Sequence, residues 1–384
     1  MSSNSYKTLD QAGPLAGKRV LLRVDLNVPI VKGEAGRLEV RDDFRIEKLL
    51  PTIEWLKKAG AKTIVLAHIE SVETQSLRAV AEYVNAKTPV TFVESFDTLS
   101  VHVAQMRDGD VAILENLRSL DAGEKENSPD FAKKVAQLGD VYVNEAFSVS
   151  HRPHASIVGL PKLLPHFAGP LFDSEVKHLS QAFQPLHPFI FILGGAKFET
   201  KLPLVQKFLT KADLVFVGGA LANDMFAQRG LEVGKSLRAK GSIDLSALAA
   251  HPRCATPIDV LVNTPDSYPK LPTEVSATDR ILDCGPETVD YLSRTLQTAK
   301  FVLWNGPLGD YEKGFEQSTI DLAKALLASP TKAVLGGGDT IAVLSKAGLL
   351  DACLNNEHIF VSTGGGAMLD FLANGTLVGI EALA

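Results

Sequence analysis

Residues 194–201 read GGAKFETK: two glycines close the apolar run FIFIL, and lysines follow at 197 and 201. On a helix a four-residue spacing puts Lys197 and Lys201 on one face, one turn apart. That face is either a solvated surface or an anion site whose glycines let a ligand approach the backbone. The pattern recurs, with Gly218-Gly219 closing LVFVGG, Gly336-Gly337-Gly338 closing AVLGGG and Gly364-Gly365-Gly366 following IFVST. Open parallel sheets bind ligands beyond the carboxyl ends of their strands. Glycine clusters at successive strand ends favour a phosphate-rich nucleotide over incidental turns. In GGGDT, Asp339 is placed either to hold a Mg²⁺ ion that bridges phosphate oxygens or to cap a helix, and Thr340 offers a hydroxyl or a helix-start amide. The amides of Gly364 to Gly366, with the dipole of the helix behind them, suit a transferring phosphoryl group. WNGP (304–307) is a turn on the plain reading; in a ligand cleft, Asn305 and Glu312 would contact the nucleotide. GLEVGKS (230–236) has three residues between its glycines where a Walker phosphate loop needs four, so it is set aside. No G-x-G-x-x-G follows the first strand, which removes the main support for a nicotinamide enzyme.

The first half carries side-chain charge instead. LLRVDLNVP (21–29) puts Arg23, Asp25 and Asn27 on one side of a strand by period-two spacing, a costly face to bury without partners. A substrate with hydroxyls and charges would supply them. Arg45, His68, Arg118 and Arg152 add basic groups at or near strand ends of the same half. Guanidinium forks suit carboxylates and phosphates, although each arginine taken alone is more readily a surface or ion-pair residue. His151 and His154 are open between ligand contacts and packed or capping histidines.

These residues need elements to hold them. Apolar runs at 19–26, 62–69, 90–94, 110–116 and 140–147 alternate with helical patterns such as 46–60 and 76–87, as βαβ units around a parallel sheet do. The pattern changes at 165–186, read as an amphipathic helix at a domain junction. A second α/β series follows, with strands expected at 189–195, 214–220, 256–262, 280–285, 301–307, 333–340 and 359–365. The expected fold is α/β, two lobes with parallel sheets joined by a helix and a ligand cleft between them. At 384 residues the chain has room for two or three cores. A net charge of −6 without blocks of like charge argues against nucleic acid or an anionic membrane as partner. Three scattered cysteines, Cys254, Cys284 and Cys353, show no metal-ligand spacing and are expected to be buried thiols. The first residues show no apolar leader and no run of 18 apolar residues occurs, so a cytoplasmic location is expected.

RVDLNVP, DDFRIEKLLPTI, LENLR, GDVYVNEAF, SHRPHAS, GGAKFETK, VGKSL, DCGPET, WNGPLG, GGGDT and STGGGA occur in one order along essentially the whole chain. In these motifs the sequence resembles the phosphoglycerate kinase family. The resemblance implies two Rossmann-like lobes: a 3-phosphoglycerate-binding domain over 1–168, a nucleotide-binding domain over 169–370, and a tail, 371–384, packing back on the first. It implies phosphoryl transfer between 1,3-bisphosphoglycerate and ADP, giving 3-phosphoglycerate and ATP, with Mg²⁺ on the nucleotide, in a monomer. By motif, Asp25, Asn27, Arg45, His68, Arg118 and Arg152 are the implied acid site. Gly195, Ala196, Lys201, Gly219, Asn305, Pro307, Glu312, Gly337, Gly338, Asp339 and Thr340 are the implied nucleotide site, with Asp339 on the metal. Lys197, Arg45 and the amides of Gly364, Gly365 and Gly366 are the implied stabilisers of the transferring phosphoryl group.

One departure bears on the acid site. Where the family reads SHLGRP or SHIGR, this chain reads AHIESVET, so Glu70 and Ser71 replace a glycine and an arginine that helps hold the substrate phosphate. That change is expected to weaken acid binding, and it keeps open a nucleotide-binding homologue with lost or altered acid specificity. Ala220 for the usual third glycine, Ser148 for a glycine and Pro153 after Arg152 are smaller departures.

Overall fold

The computed structural model describes residues 6–196, 198–239, 244–263 and 268–384, and for Ala35 and residues 198–200 the backbone alone. The chain divides into two compact units, Met1–Lys177 with Thr376–Ala384, and His178–Gly375.

The first unit is built on six parallel strands, β1 (Arg19–Arg23), β2 (Lys62–Leu66), β3 (Thr91–Val93), β4 (Val111–Leu114), β5 (Val141–Asn144) and β6 (His166–Ala168), in the order β3-β4-β2-β1-β5-β6. The central strands are continuous apolar runs because helices cover both faces. The helix Phe44–Lys58 shows how: Ile46, Leu49, Ile53 and Leu56 recur every three or four residues and are all buried, while Lys57 and Lys58 close its last turn, where the helix dipole favours cations. Strand order reverses between β1 and β5, so the segments leaving β1, β2, β4 and β5 converge at one end of the sheet. They carry Asp25, His68, Arg118 and Arg152.

The second unit repeats the plan with β7 (Phe189–Leu193), β8 (Leu214–Val217), β9 (Cys254–Ala255), β10 (Phe301–Asn305), β11 (Lys332–Gly336) and β12 (Ile359–Val361), in the order β9-β8-β7-β10-β11-β12. Its order reverses between β7 and β10, where Leu193 pairs with Asn305, and Asn305 in turn with Gly336. The glycine clusters follow β7, β8, β11 and β12.

Several elements differ from the sequence reading. Residues 165–186 are not one helix: β6 comes first, pairing parallel with β5 (Tyr142 opposite His166), and only after Gly169 does the helix Pro170–Ser180 begin. The runs at 256–262 and 280–285 do not join the parallel sheet. Val260–Val262 and Ile281–Cys284 pair antiparallel, with Val260 opposite Cys284, in a separate three-stranded sheet with Pro269–Lys270. No α-helix is described between them, and parallel pairing needs such a crossover. The hairpin Ile30–Lys32 with Leu38–Val40 was not expected. At the end of the chain, Gly379 donates its N–H to Ser150 O at 2.8 Å, and Val378 and Ala382 pack on Val149, Ile157 and Val158. All three cysteines are buried and unbridged. Among the described residues no helix is long and apolar enough to cross a membrane.

Candidate active site

Each unit gathers a cluster of polar groups where its strand order reverses. In the first unit, β1 ends at Arg23, so Asp25 and Asn27 lie in the following loop and not on a strand face as the spacing suggested. Arg23 is fully buried and structural: its Nε donates to Ser156 Oγ at 2.8 Å, and its Nη2 lies 3.9 Å from Glu124 and 3.2 Å from His68 Nδ1. Arginine can only donate, so His68 Nδ1 accepts and a neutral ring carries its proton on Nε2. Burial, then the charges of Arg23 and Arg118, hold His68 far below the usual imidazole range, so that neutral form persists. His154 is pushed down to about 3 by the same burial and by Arg118 and Arg23.

Asp25 organises the loop. Its Oδ1 accepts the Asn27 N–H at 3.0 Å, and its Oδ2 faces Arg45 Nη1 at 2.8 Å and accepts from the Ser148 hydroxyl. Arg45 also donates to Asn27 O at 2.9 Å; it sits in the first turn of the helix Phe44–Lys58, not at a strand end. Through its hydroxyl Ser148 is tied to the Asp25 loop. Arg118 follows Asn116, whose side chain accepts the Arg118 N–H at 3.1 Å and starts the short helix Leu117–Leu120. Its guanidinium meets Glu70 Oε2 at 2.8 Å. Arg152 is exposed, with Nε 3.2 Å from His151 Nε2. Asp25, Asn27, Arg45 and Arg118 are thus linked through Glu70 and the loop bonds, while His68 contacts Arg23 and lies in the field of Arg118, His154 and Arg152. The chemistry on offer is binding of an anion with hydroxyls.

In the second unit the glycines are required by the backbone. Gly194 N–H donates to Asn305 O at 2.9 Å and Gly195 N–H to Pro307 O at 3.0 Å, stitching the loop after β7 to the loop after β10. A side chain on Gly194 would fall on the carbonyl oxygens of Pro307 and Gly306, and Gly195 and Gly219 have φ of +93° and +61°. Lys201 donates to Gly194 O at 2.7 Å. Asn305 and Thr340 are buried beneath the loops, Thr340 Oγ1 accepting the Gly306 N–H at 2.9 Å. Gly337 (φ +96°) precedes the helix Gly338–Lys346, so Gly338, Asp339 and Thr340 form its first turn. Asp339 is exposed and accepts from Tyr311 OH at 2.9 Å, and burial first, then this carboxylate, pushes the Tyr311 hydroxyl up to about 12. Gly364 spends its N–H on Ser362 Oγ at 3.0 Å, while Gly365 (φ +52°) and Gly366 start the helix Gly366–Asn374. Lys197 lies outside the described residues.

A pocket of about 820 Å³, open to solvent, is lined by Gly195, Ala196, Gly219, Pro307, Glu312 and Asp339 among the predicted residues. Lys201, Asn305, Gly337, Gly338 and Thr340 are not on its wall; apart from Gly338, which is exposed, they bond or pack against the loops that form it. The sequence reading missed Phe226, Leu237 and Tyr311, which make the wall apolar and aromatic. Tyr311, beside Glu312, and Leu237, closing VGKSL, had a signal in their neighbourhood; Phe226 had none. In GLEVGKS the amides of Val233 and Gly234 are spent on the Glu232 carboxylate, at 3.0 and 2.7 Å.

A family model described as phosphoglycerate kinase matches residues 9–375. The chain is 40% identical over 405 aligned positions to a phosphoglycerate kinase of Methylorubrum extorquens, covering 98% of each. It is 41% identical to one of Caulobacter vibrioides, covering 99% of each. Among solved structures it is similar to phosphoglycerate kinase from Coxiella burnetii, with a TM-score of 0.82 at 32% identity, and from Pyrococcus horikoshii OT3, with 0.85 at 30%, each covering 98% of both chains.

Proposed function

The chain belongs to the phosphoglycerate kinase family, which carries phosphoryl groups between 1,3-bisphosphoglycerate and ADP, and on that premise we propose which of its residues do the work. The acid binds the first unit, its carboxyl and hydroxyl against Asp25, Asn27, Arg45 and the Nε2–H of His68, and its phosphate against Arg118 and Arg152. The nucleotide binds the second unit, its base end in the Phe226–Leu237–Tyr311 pocket and its phosphates at the helix start beginning with Gly338. Lys201 and the glycines around it shape that approach. The observation that carries the nucleotide assignment is the pocket wall, where Gly195, Gly219 and Asp339 face the same space as the apolar side chains. Asp339, an exposed carboxylate on that wall that accepts from Tyr311, suits a Mg²⁺ ion, which takes one or two carboxylates and completes its shell with phosphate oxygens and water. No group of three or more His, Cys, Asp or Glu with metal-site geometry exists among the described residues, so the remaining donors would come from the nucleotide. Bound there, the ion would neutralise charge on the phosphates.

An acyl phosphate is already activated, so transfer needs in-line positioning and charge neutralisation and no covalent enzyme intermediate. Arg45, held by Asp25, Lys197 and the amides of Gly365 and Gly366 are assigned to the equatorial oxygens of the moving group. A helix-start amide is preorganised and needs no rearrangement when the charge develops. The assay is ADP release from Mg-ATP by the purified protein with and without 3-phosphoglycerate. Acid-dependent release is the expected result, and its absence over a wide range of acid concentration would overturn the assignment. The chain is further proposed to act in the cytoplasm as a monomer; sedimentation would test the oligomeric state and cell fractionation the location.

A further inference from the structure

Glu70 sits among the cations of the first unit and has no part in the chemistry assigned above. Its backbone N–H donates to Asn27 Oδ1 at 2.9 Å, so the residue is fixed to the loop that follows β1. From there its carboxylate spans two cations, with Oε2 2.8 Å from Arg118 Nη1 and Oε1 3.2 Å from Lys125 Nζ. The Arg118 side chain is only 6% exposed. Even so, its Nε and Nη1 have no hydrogen-bond partner of good geometry among the described residues, so the contact with Glu70 is close but badly angled. A buried guanidinium ordinarily has its N–H directions filled. Glu70 neutralises this one without satisfying its fork.

We propose that Glu70 is an intramolecular occupant of the acid site, competing with the substrate's phosphate for Arg118 and Lys125 and thereby setting the affinity for the acid. The inference rests on the reading that 3-phosphoglycerate binds in this unit. A phosphate dianion brings two charges and three acceptor oxygens, enough to fill the Arg118 fork with two parallel bonds and still reach Lys125. The glutamate brings one charge on a tether. Its side chain is 47% exposed, so on displacement it moves into water it already touches. Ser71 does not compete: it is uncharged and half-buried, and its hydroxyl accepts the Glu73 N–H at 3.3 Å. The contest also selects the ligand. An acid whose far end is neutral or singly charged gains little by exchanging places with a carboxylate already bound, whereas a phosphorylated end does.

The test is KM for 3-phosphoglycerate at saturating Mg-ATP, with Kd by calorimetry, on the full chain and its Glu70→Gln variant, which keeps the shape and removes the charge. Glu70 is exposed, so the variant is expected to fold. The expected result is a fall of about tenfold in both KM and Kd for the acid, the size of one charge-assisted contact, with Kd for Mg-ADP unmoved. In an Arg118→Ala background the same substitution should gain less, because one of the two contested groups is gone. An unchanged or raised KM in Glu70→Gln, or an equal gain toward the nucleotide, overturns the proposal. If neither the parent chain nor Glu70→Gln binds or uses 3-phosphoglycerate, the acid-site reading itself falls and takes the proposal with it.

Discussion

Gly338 separates glycines that the fold requires from one that it does not. A side chain at Gly336 would fall on Met368 Sδ, and Gly337 has a φ of +96°. Gly338 has neither constraint: a Cβ built there meets no atom within 4 Å, its φ is not left-handed, and it is exposed in the first turn of the helix Gly338–Lys346. On packing alone, Gly338→Ala should stabilise the ligand-free protein by roughly 0.5–1 kcal/mol, because glycine loses more backbone entropy on folding. If nucleotide phosphate approaches this helix start, the added methyl displaces it from the amides. Losing one hydrogen bond to a charged group is worth about 1.5–3 kcal/mol, or roughly ten- to a hundredfold in Kd. The variant should therefore be slightly more stable and a much poorer binder of Mg-ADP. Calorimetry gives the affinity. For stability, urea unfolding in a Trp55→Phe background leaves Trp304, fully buried in β10, to report the second unit separately. Unchanged affinity in a stabilised variant would refute the assignment of phosphate to this turn.

Two further outcomes follow from buried contacts. Gly194→Ala would push apart the Gly194–Asn305 and Gly195–Pro307 hydrogen bonds at the reversal of the second sheet. Two such bonds at about 1 kcal/mol each, plus overpacking of about 1–3 kcal/mol, predict a loss of roughly 3–5 kcal/mol, and an unmoved urea midpoint would show that the stitch carries no weight. Glu145 is buried, and that burial raises its carboxyl to about 7 from 4.5 despite hydrogen bonds from Thr52 and the Phe172 amide. The folded chain then holds a proton that the unfolded chain has released, so this contribution is fully present below about 4.5, falls as pH rises through about 7 and is constant above. The span is about 3 kcal/mol at 1.36 kcal/mol per unit. Glu145→Gln should flatten that part of the stability profile, and an unchanged slope in urea titrations across the window would count against the raised carboxyl.

Both parallel sheets could be read from apolar runs alternating with helical patterns, because strands covered on both faces leave continuous Val, Ile, Leu and Phe in the sequence. Where the reading failed, the pattern was local and the deciding fact was not. The run 256–262 looks like any other strand, and only the lack of a crossover helix among the described residues before 281–284 goes with the antiparallel pairing. β6 was hidden because three residues, His166–Ala168, carry too little periodicity to stand out beside the helix that follows.

The two ligand clusters differ in legibility for the same kind of reason. The nucleotide cradle is made of backbone, and backbone that must take positive φ or lie against another loop demands glycine, which a sequence displays openly. The acid cluster is made of charged side chains, and cations brought together beside a buried histidine repel one another unless carboxylates are interleaved. Asp25 does this for Arg45, Glu124 for Arg23, and Glu70 for Arg118 with Lys125. In each case the partners leave different segments of the chain, so their types were visible and their pairing was not. Glu70 shows what that costs a sequence argument. Read alone, it replaces a glycine and places a negative charge near a phosphate site, which predicts only weaker binding. Placed against a guanidinium whose fork it does not fill, it becomes a charge that the substrate must displace. That makes its effect removable by a single isosteric substitution, whereas a general loss of positive field would call for restoring an arginine at Ser71.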